Sequence, residues 1–265
     1  LVLEKNTYNM NISIIQQEII WGDKAHNLKT FGDTLRSLFG KTDVAILPEM
    51  FSTGFCVDKP ELSESTEGEA ISLIKQLAEE GNMAIASSFM AAENGRAYNR
   101  GFFCCPDGTI EFADKRHLFI GDEQKYFSPG NKHLDITYNG VKFRLLICFD
   151  LRFPVWARNK SGNDYDVLIY TANWPKSRID AWDALTVARA IENQAYVAAV
   201  NAIGTDSYNV EHCGHSVIID PRGKVLASLK DFESGVRSID LDLEYLEHVR
   251  TRLPFSKSND DFTIV

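Results

Sequence analysis

Two hydrophobic periods alternate along this chain. Asn11-Ile12-Ser13-Ile14-Ile15-Gln16 reads as a strand, and Trp21-Gly22-Asp23 then opens a helix with Asp23 as N-cap. Ala25, Leu28, Phe31, Leu35 and Leu38 fall on one helical face, and Gly40 stops it. A short apolar run, Val44-Ala45-Ile46-Leu47-Pro48, leads into Glu49. Thr66-Glu67-Gly68-Glu69 fits a capping box, followed by a stripe of Ile71, Ile74, Leu77 and Ala78 that ends near Gly81. Met83 to Phe89 is a strand. Asn99 to Cys105 and Thr109 to Ala113 flank Pro106-Asp107-Gly108, a hairpin turn in which Pro presets one angle and Gly accepts positive φ.

Val141 to Ile147 is a strand that delivers Cys148, and Val167 to Tyr170 is apolar throughout, as a strand covered on both faces should be. Asp180 to Asn193 has helical period. Tyr196 to Asn201, Ser216 to Asp220 and Val236 to Asp240 complete the strands. There is no internal repeat and no low-complexity linker, so the expectation is a single domain over 1–265. So many strands in this length predict an α/β protein of two packed sheets with helices outside.

Composition narrows the partners. With 265 residues, 44% hydrophobic and 25% charged, the chain is long enough to bury a core without staples. A net charge of −9 argues against nucleic acid, whose phosphates need a basic face, and against anionic lipid. No segment approaches the ~20 apolar residues that span a bilayer, and Leu1 to Asn6 lacks the pattern of a secretory leader. Five cysteines without regular spacing are not a disulfide framework, which predicts a reducing cytoplasm and a soluble protein.

The candidate chemistry sits where strands give out. Glu49 follows one apolar run, Lys115 follows Ile110-Glu111-Phe112-Ala113-Asp114, and Cys148 follows Leu145-Leu146-Ile147. In α/β folds catalytic groups gather on the loops at one edge of a sheet. Singly each residue is unremarkable: a cysteine after Leu-Leu-Ile is ordinarily a small buried hydrophobe. Together an acid, a base and a thiol suggest a Glu-Lys-Cys hydrolase. His212-Cys213-Gly214-His215 looks like a metal cluster, but its spacing is too tight for the usual tetrahedral site. No metal or cofactor is expected.

Several ordered strings between Asn11 and about Asp242 make the chain resemble the carbon–nitrogen hydrolase (nitrilase) superfamily. They are Leu47-Pro48-Glu49-Met50-Phe51, Asp114-Lys115-Arg116-His117-Leu118-Phe119, Cys148-Phe149-Asp150-Leu151-Arg152-Phe153-Pro154, Ala172-Asn173-Trp174-Pro175, Arg189 to Gln194 and Gly214 to Pro221. The resemblance implies a four-layer αββα sandwich of two mixed sheets and a homodimer. It makes Glu49 the general base, Lys115 the triad lysine, Cys148 the nucleophile and Glu123 a second active-site glutamate. By the same resemblance the backbone N–H of Phe149 is an oxyanion donor, and Trp174 lies beside the nucleophile.

The Cys148 and Thr171-to-Pro175 strings look most like the bacterial ω-amidase branch. That implies hydrolysis of the terminal amide of 2-oxoglutaramate or 2-oxosuccinamate, through a thioester, to the dicarboxylate and ammonia. Phe149 stands where many relatives carry Tyr. A carboxylated substrate needs a cation, for which Arg178 is the first candidate, with Arg116 and Arg152 as others; Arg152 alternatively braces Asp150 or another acid near the site. Phe51, Phe119 and Tyr126 are candidates for shaping the pocket. Alternative readings are another small amide (deaminated glutathione or an N-carbamoyl amino acid), a nitrile, or a silent dimeric interaction scaffold.

Overall fold

The computed structural model describes residues 10–161 and 164–264; the stretch 1–6 considered above lies outside the described residues. The chain opens with β1 (Asn11–Gln16), α1 (Lys24–Ser37), β2 (Val44–Ile46), α2 (Glu69–Gly81), β3 (Ala84–Glu93), β4 (Arg96–Cys104) and β5 (Ile110–Asp114). It continues through α3 (Asp122–Tyr126), β6 (Leu134–Tyr138), β7 (Val141–Ile147), α4 (Pro154–Ala157), β8 (Val167–Ala172), α5 (Ile179–Asn193) and β9 (Tyr196–Asn201). The small β10 (Ile203–Thr205) and β11 (Glu211–Cys213) precede β12 (Val217–Ile219), β13 (Val225–Ser228), β14 (Gly235–Asp240) and α6 (Leu243–Arg252).

Two six-stranded mixed sheets result, ordered β14-β1-β2-β3-β4-β5 and β13-β12-β9-β8-β7-β6. Each has a parallel centre and antiparallel margins: β1, β2 and β3 are parallel in one, β7, β8 and β9 in the other. The sheets pack face to face, with β1 over β9 and β4 over β7. One apolar layer fills the space between them, including Ile12, Ile14, Phe103, Leu145 and Val200. A second layer joins Ile15, Leu47 and Ile85 to Leu28, Phe31 and Leu35 of α1 and to Ile71, Ile74 and Leu77 of α2. α5 covers the opposite sheet. The fold is therefore the αββα sandwich that the sequence implied.

Close approach of the sheets has a sequence cause at Gly101 of β4, where a Cβ would stand 2.8 Å from Leu145 Cδ2. β8 and β9 are buried at every residue, which explains why they are apolar apart from Thr171 and Asn201 near their C-terminal ends.

Asp23 caps α1 as expected, its side chain accepting from His26 N. The periodicity misplaced one position on that helix: Ala25 is exposed, and Asn27 is buried, bonding both the amide and the carbonyl of Ile20. The capping box is a correction. Gly68, not Thr66, is the N-cap of α2, and the Glu64 carboxylate accepts from Ala70 N at 3.1 Å. A residue distant from the Ser/Thr-x-x-Glu pattern thus fills the site. β6, β10, β11, β13 and α6 lie outside the strands and helices that the sequence pattern predicts, as does the Asn94-Gly95 turn joining β3 to β4. Its residues take φ of 50° and 76°, the left-handed pair that a two-residue hairpin requires.

Candidate active site

Glu49, Lys115, Glu123 and Cys148 meet at the floor of one cavity of about 360 Å³, which Glu123 and Cys148 line directly. Three are delivered from the ends of β2, β5 and β7, and Glu123 comes from the first turn of α3. Their backbones are held tightly. The Glu49 carbonyl accepts from Asn173 Nδ2 at 2.6 Å, and the next residue, Met50, at φ 49°, donates its N–H to Ser88 Oγ. Lys115 donates its N–H to Asn99 O at 2.9 Å, and its carbonyl accepts from Gly130 N at 2.8 Å. Glycine is required there: a Cβ would fall 2.1 Å from the Asp114 carbonyl oxygen.

Cys148 itself has φ 45°, a left-handed conformation that typically stores about 1–3 kcal/mol in a residue with a side chain. It turns the chain sharply from β7 into a 3₁₀ turn, Cys148–Arg152. Asp150 secures that turn by accepting from Ile147 N and from both the amide and Nδ1 of His117. Among the described residues Arg152 braces neither Asp150 nor another acid; its guanidinium lies 4.9 Å from the Trp174 ring centre, facing the cavity. That alternative is corrected.

The charges form a closed, dry network. Lys115 Nζ donates to Glu49 Oε1 at 2.9 Å and to both oxygens of Glu123 at 3.0 and 2.9 Å, and all three side chains are 0% exposed. Asn99 Nδ2 donates to both acids, at 2.8 and 2.9 Å. Asn173 N–H donates to the second oxygen of Glu49 at 2.8 Å, and Phe119 N–H to Glu123.

The network sets the protonation states. Burial disfavours a charged Lys115, but the two carboxylates outweigh it and raise its pKa. Burial raises the pKa of Glu123 against the pull of Lys115. Burial, then the negative charge of Glu49, holds the Cys148 thiol well above its ordinary value despite Lys115. The sulfur therefore carries its proton at neutral pH, with a carboxylate in place to take it.

Of the other expected residues, Phe149, Trp174 and Arg178 all line the cavity. The Phe149 ring packs edge-on against Phe119 and Phe153, each at 5.3 Å, and the first turn of a helix leaves such N–H groups free to donate. Trp174 donates Nε1 to the Arg178 carbonyl, and Arg178 lies 5.1 Å from the Phe119 ring. Arg116 stacks instead on Trp156, away from the cavity. Phe119 shapes the pocket; Phe51 is buried in the helix-side core and Tyr126 is exposed outside it, so those two expectations are corrected.

Asn99, Trp21, Phe55 and His212 were not anticipated. A polar residue in the otherwise buried run of β4 was the available signal for Asn99. His212 and His215 part company. His212 lines the cavity against Trp21, and burial lowers its pKa. His215 lies in a separate cleft between Asp183 and Asp231. Among the described residues no group of His, Cys, Asp and Glu is arranged to hold a metal ion.

An αββα sandwich with its site at these strand ends has close structural counterparts. The XC1258 protein of Xanthomonas campestris, described as a CN-hydrolase superfamily protein with an arsenic adduct in the active site, superposes with TM-score 0.94 at 32% identity. The match covers 97% of this chain and all of that one. The carbon–nitrogen hydrolase family model matches residues 11–251, and the chain belongs to that family. It is a hydrolase acting on amide carbon–nitrogen bonds. Omega-amidase YafV of Escherichia coli K12 is 36% identical over 96% of this chain and 98% of that protein. The 2-oxoglutaramate amidase of Bacillus subtilis strain 168 is 37% identical over 92% and 95%.

Proposed function

We propose that the enzyme hydrolyses the terminal amide of a small 2-oxo acid, 2-oxoglutaramate or 2-oxosuccinamate, by a Glu49-Lys115-Cys148 mechanism. The observation that carries this is the union of two features in one cavity. Its floor holds the buried Glu49–Lys115–Glu123 network beside Cys148, and its wall holds Arg152 and Arg178. The names of the two relatives support the substrate.

In this reading the Cys148 sulfur attacks the amide carbon as its proton passes to Glu49. General-base help of this kind is typically worth ~10²–10⁴-fold. The oxyanion is met by Lys115 Nζ and the Phe149 N–H. Glu49 returns the proton to nitrogen, the C–N bond breaks, and ammonia leaves a thioester. Glu49 then takes a proton from water as its oxygen attacks the thioester carbon, and the sulfur leaves with that proton. Glu123 fixes Lys115 and keeps it charged. Arg178 holds the substrate carboxylate.

We place the enzyme in the cytoplasm as a homodimer. All five cysteines are free, and no helix among the described residues is long and apolar enough to cross a membrane. Exposed Ile191 of α5 with Val225 and Leu226 of β13 supplies an apolar face for a second copy.

The test is ammonia release from 2-oxoglutaramate, glutamine and an N-carbamoyl amino acid, with Cys148→Ala as control. Release from the oxo-amide, abolished in the variant, is expected. Turnover of a different amide, also lost in the variant, would keep the mechanism and replace the substrate. Silence on every amide would favour the scaffold reading.

A further inference from the structure

Arg152 and Arg178 are the cationic side chains among the cavity-lining residues, and among the described residues neither forms an ion pair with a carboxylate. Other arginines of the chain are treated differently: Arg100, Arg144 and Arg250 each meet an aspartate at 2.6–2.7 Å. Both cavity arginines are instead laid on aromatic walls, Arg152 over Trp174 and Arg178 over Phe119. Stacking fixes a guanidinium plane without neutralising it.

The two are close enough that the charge of Arg152, after burial, depresses the pKa of Arg178. Two like charges held together without a counter-ion are relieved by an anion and made worse by a cation. Three acids line the same cavity, Asp122, Glu123 and Asp206. Glu123 is tied to Lys115, Asn99 and the Phe119 N–H. Asp206 is spoken for, its Oδ1 accepting from the N–H groups of Tyr208 and Val210 at 2.7 and 2.9 Å. That leaves Asp122, in the exposed first turn of α3.

We infer that Arg152 and Arg178 act together as the specificity determinant of the site, admitting amides whose far end is purely anionic and rejecting those that carry an α-ammonium there. This rests on the amidase reading above and deepens it: the pair accounts for choosing a 2-oxo acid amide over the matching 2-amino acid amide, which differs little in size. The carboxylate common to both substrates is attracted. The ammonium that glutamine adds sits in the field of two guanidiniums, while the buried carboxylates of the cavity floor, Glu49 and Glu123, are already engaged by Lys115.

Steady-state kinetics on four amides of one length test this: 2-oxoglutaramate, glutaramate (anionic, with no group at carbon 2), glutamine, and neutral pentanamide as reference. For the intact enzyme, kcat/KM should rank the two anionic amides above pentanamide and glutamine below glutaramate. In Arg152→Gln and in Arg178→Gln the ratio of glutaramate to pentanamide should fall about tenfold or more, mainly through KM, as expected for a lost hydrogen bond to a charged group. The ratio of glutamine to glutaramate should rise by a similar factor. Arg178→Lys, which keeps the charge, should retain most of the discrimination.

The inference is overturned if glutamine gains nothing on glutaramate in either variant. It also fails if Asp122→Asn, rather than the arginine variants, controls glutamine turnover. An intact enzyme that releases ammonia from none of the four amides would instead sink the functional reading on which the inference stands.

Discussion

The molecule contains two clusters of the same design, a cation between two carboxylates, in opposite surroundings. Lys115 lies between Glu49 and Glu123 with no exposure at all; His215 lies between Asp183 and Asp231 at the rim of an open cleft. Distances are alike, 2.9 Å on the buried side and 2.6–3.0 Å at the surface. Their consequences differ because water screens one and not the other. In the buried cluster the charges cannot be exchanged for hydration, so together they raise the pKa of Lys115 and hold the Cys148 thiol protonated. At the surface the same geometry shifts pKa values while contributing little to stability.

The largest break in that comparison is Lys115→Met. It strands two buried carboxylates against each other, and losing one member of a buried ion pair typically costs about 3–5 kcal/mol. Ammonia release should fall by about 10³-fold or more as the oxyanion loses its cation. Chemical denaturation beside the amidase assay checks both, and a variant of undiminished stability would mean that the cluster is wetter than its geometry indicates.

Asn99→Asp should be next. It keeps size and shape but replaces a donor shared by Glu49 and Glu123 with a third acid at a fully buried position. A destabilisation of roughly 2–4 kcal/mol is expected from the lost bonds and the added charge. A urea midpoint equal to that of the parent would contradict the picture of a closed network.

The smallest effect belongs to the surface cluster. Burial lowers the pKa of His215, but its two aspartates raise it further, so the net shift is upward. A raised folded value means that the stabilisation is in full below the unfolded pKa, about 6.5, and fades as pH rises through the folded value. His215→Asn accepts the same φ of 64°. It should be less stable than the parent by under about 1 kcal/mol near pH 5.5–6, with the gap closing by pH 9. A gap that widens with pH would reverse the sign and remove His215 from the comparison.

Cysteine reactivity offers a parallel lesson. Burial raises the thiols of Cys56, Cys105 and Cys213 to about 11 and that of Cys104 to about 12, and raises Cys148 as well. What distinguishes Cys148 is position: it lines the cavity, with Glu49 beside its proton. No pattern of cysteines along the chain carries that difference.

The periods of the sequence were enough for the sandwich. Alternation and all-apolar runs located β1, β4, β5, β7, β8 and β9, and helical stripes located α1, α2 and α5, because burial imposes those periods wherever one face meets a core. They were silent on β13, half exposed at a sheet edge, and on α6, which buries Leu246 alone. Residues with a charge to hide at a strand end, Glu49 and Lys115, were legible for the same reason. Tertiary structure alone decided the rest. Whether an asparagine in a strand faces two acids, whether an arginine finds a carboxylate or an open cavity, and which of two nearby histidines enters the site depend on contacts between residues far apart in the chain. Local spacing has no means of encoding such contacts, since the energy that selects them is that of desolvated groups meeting across the fold.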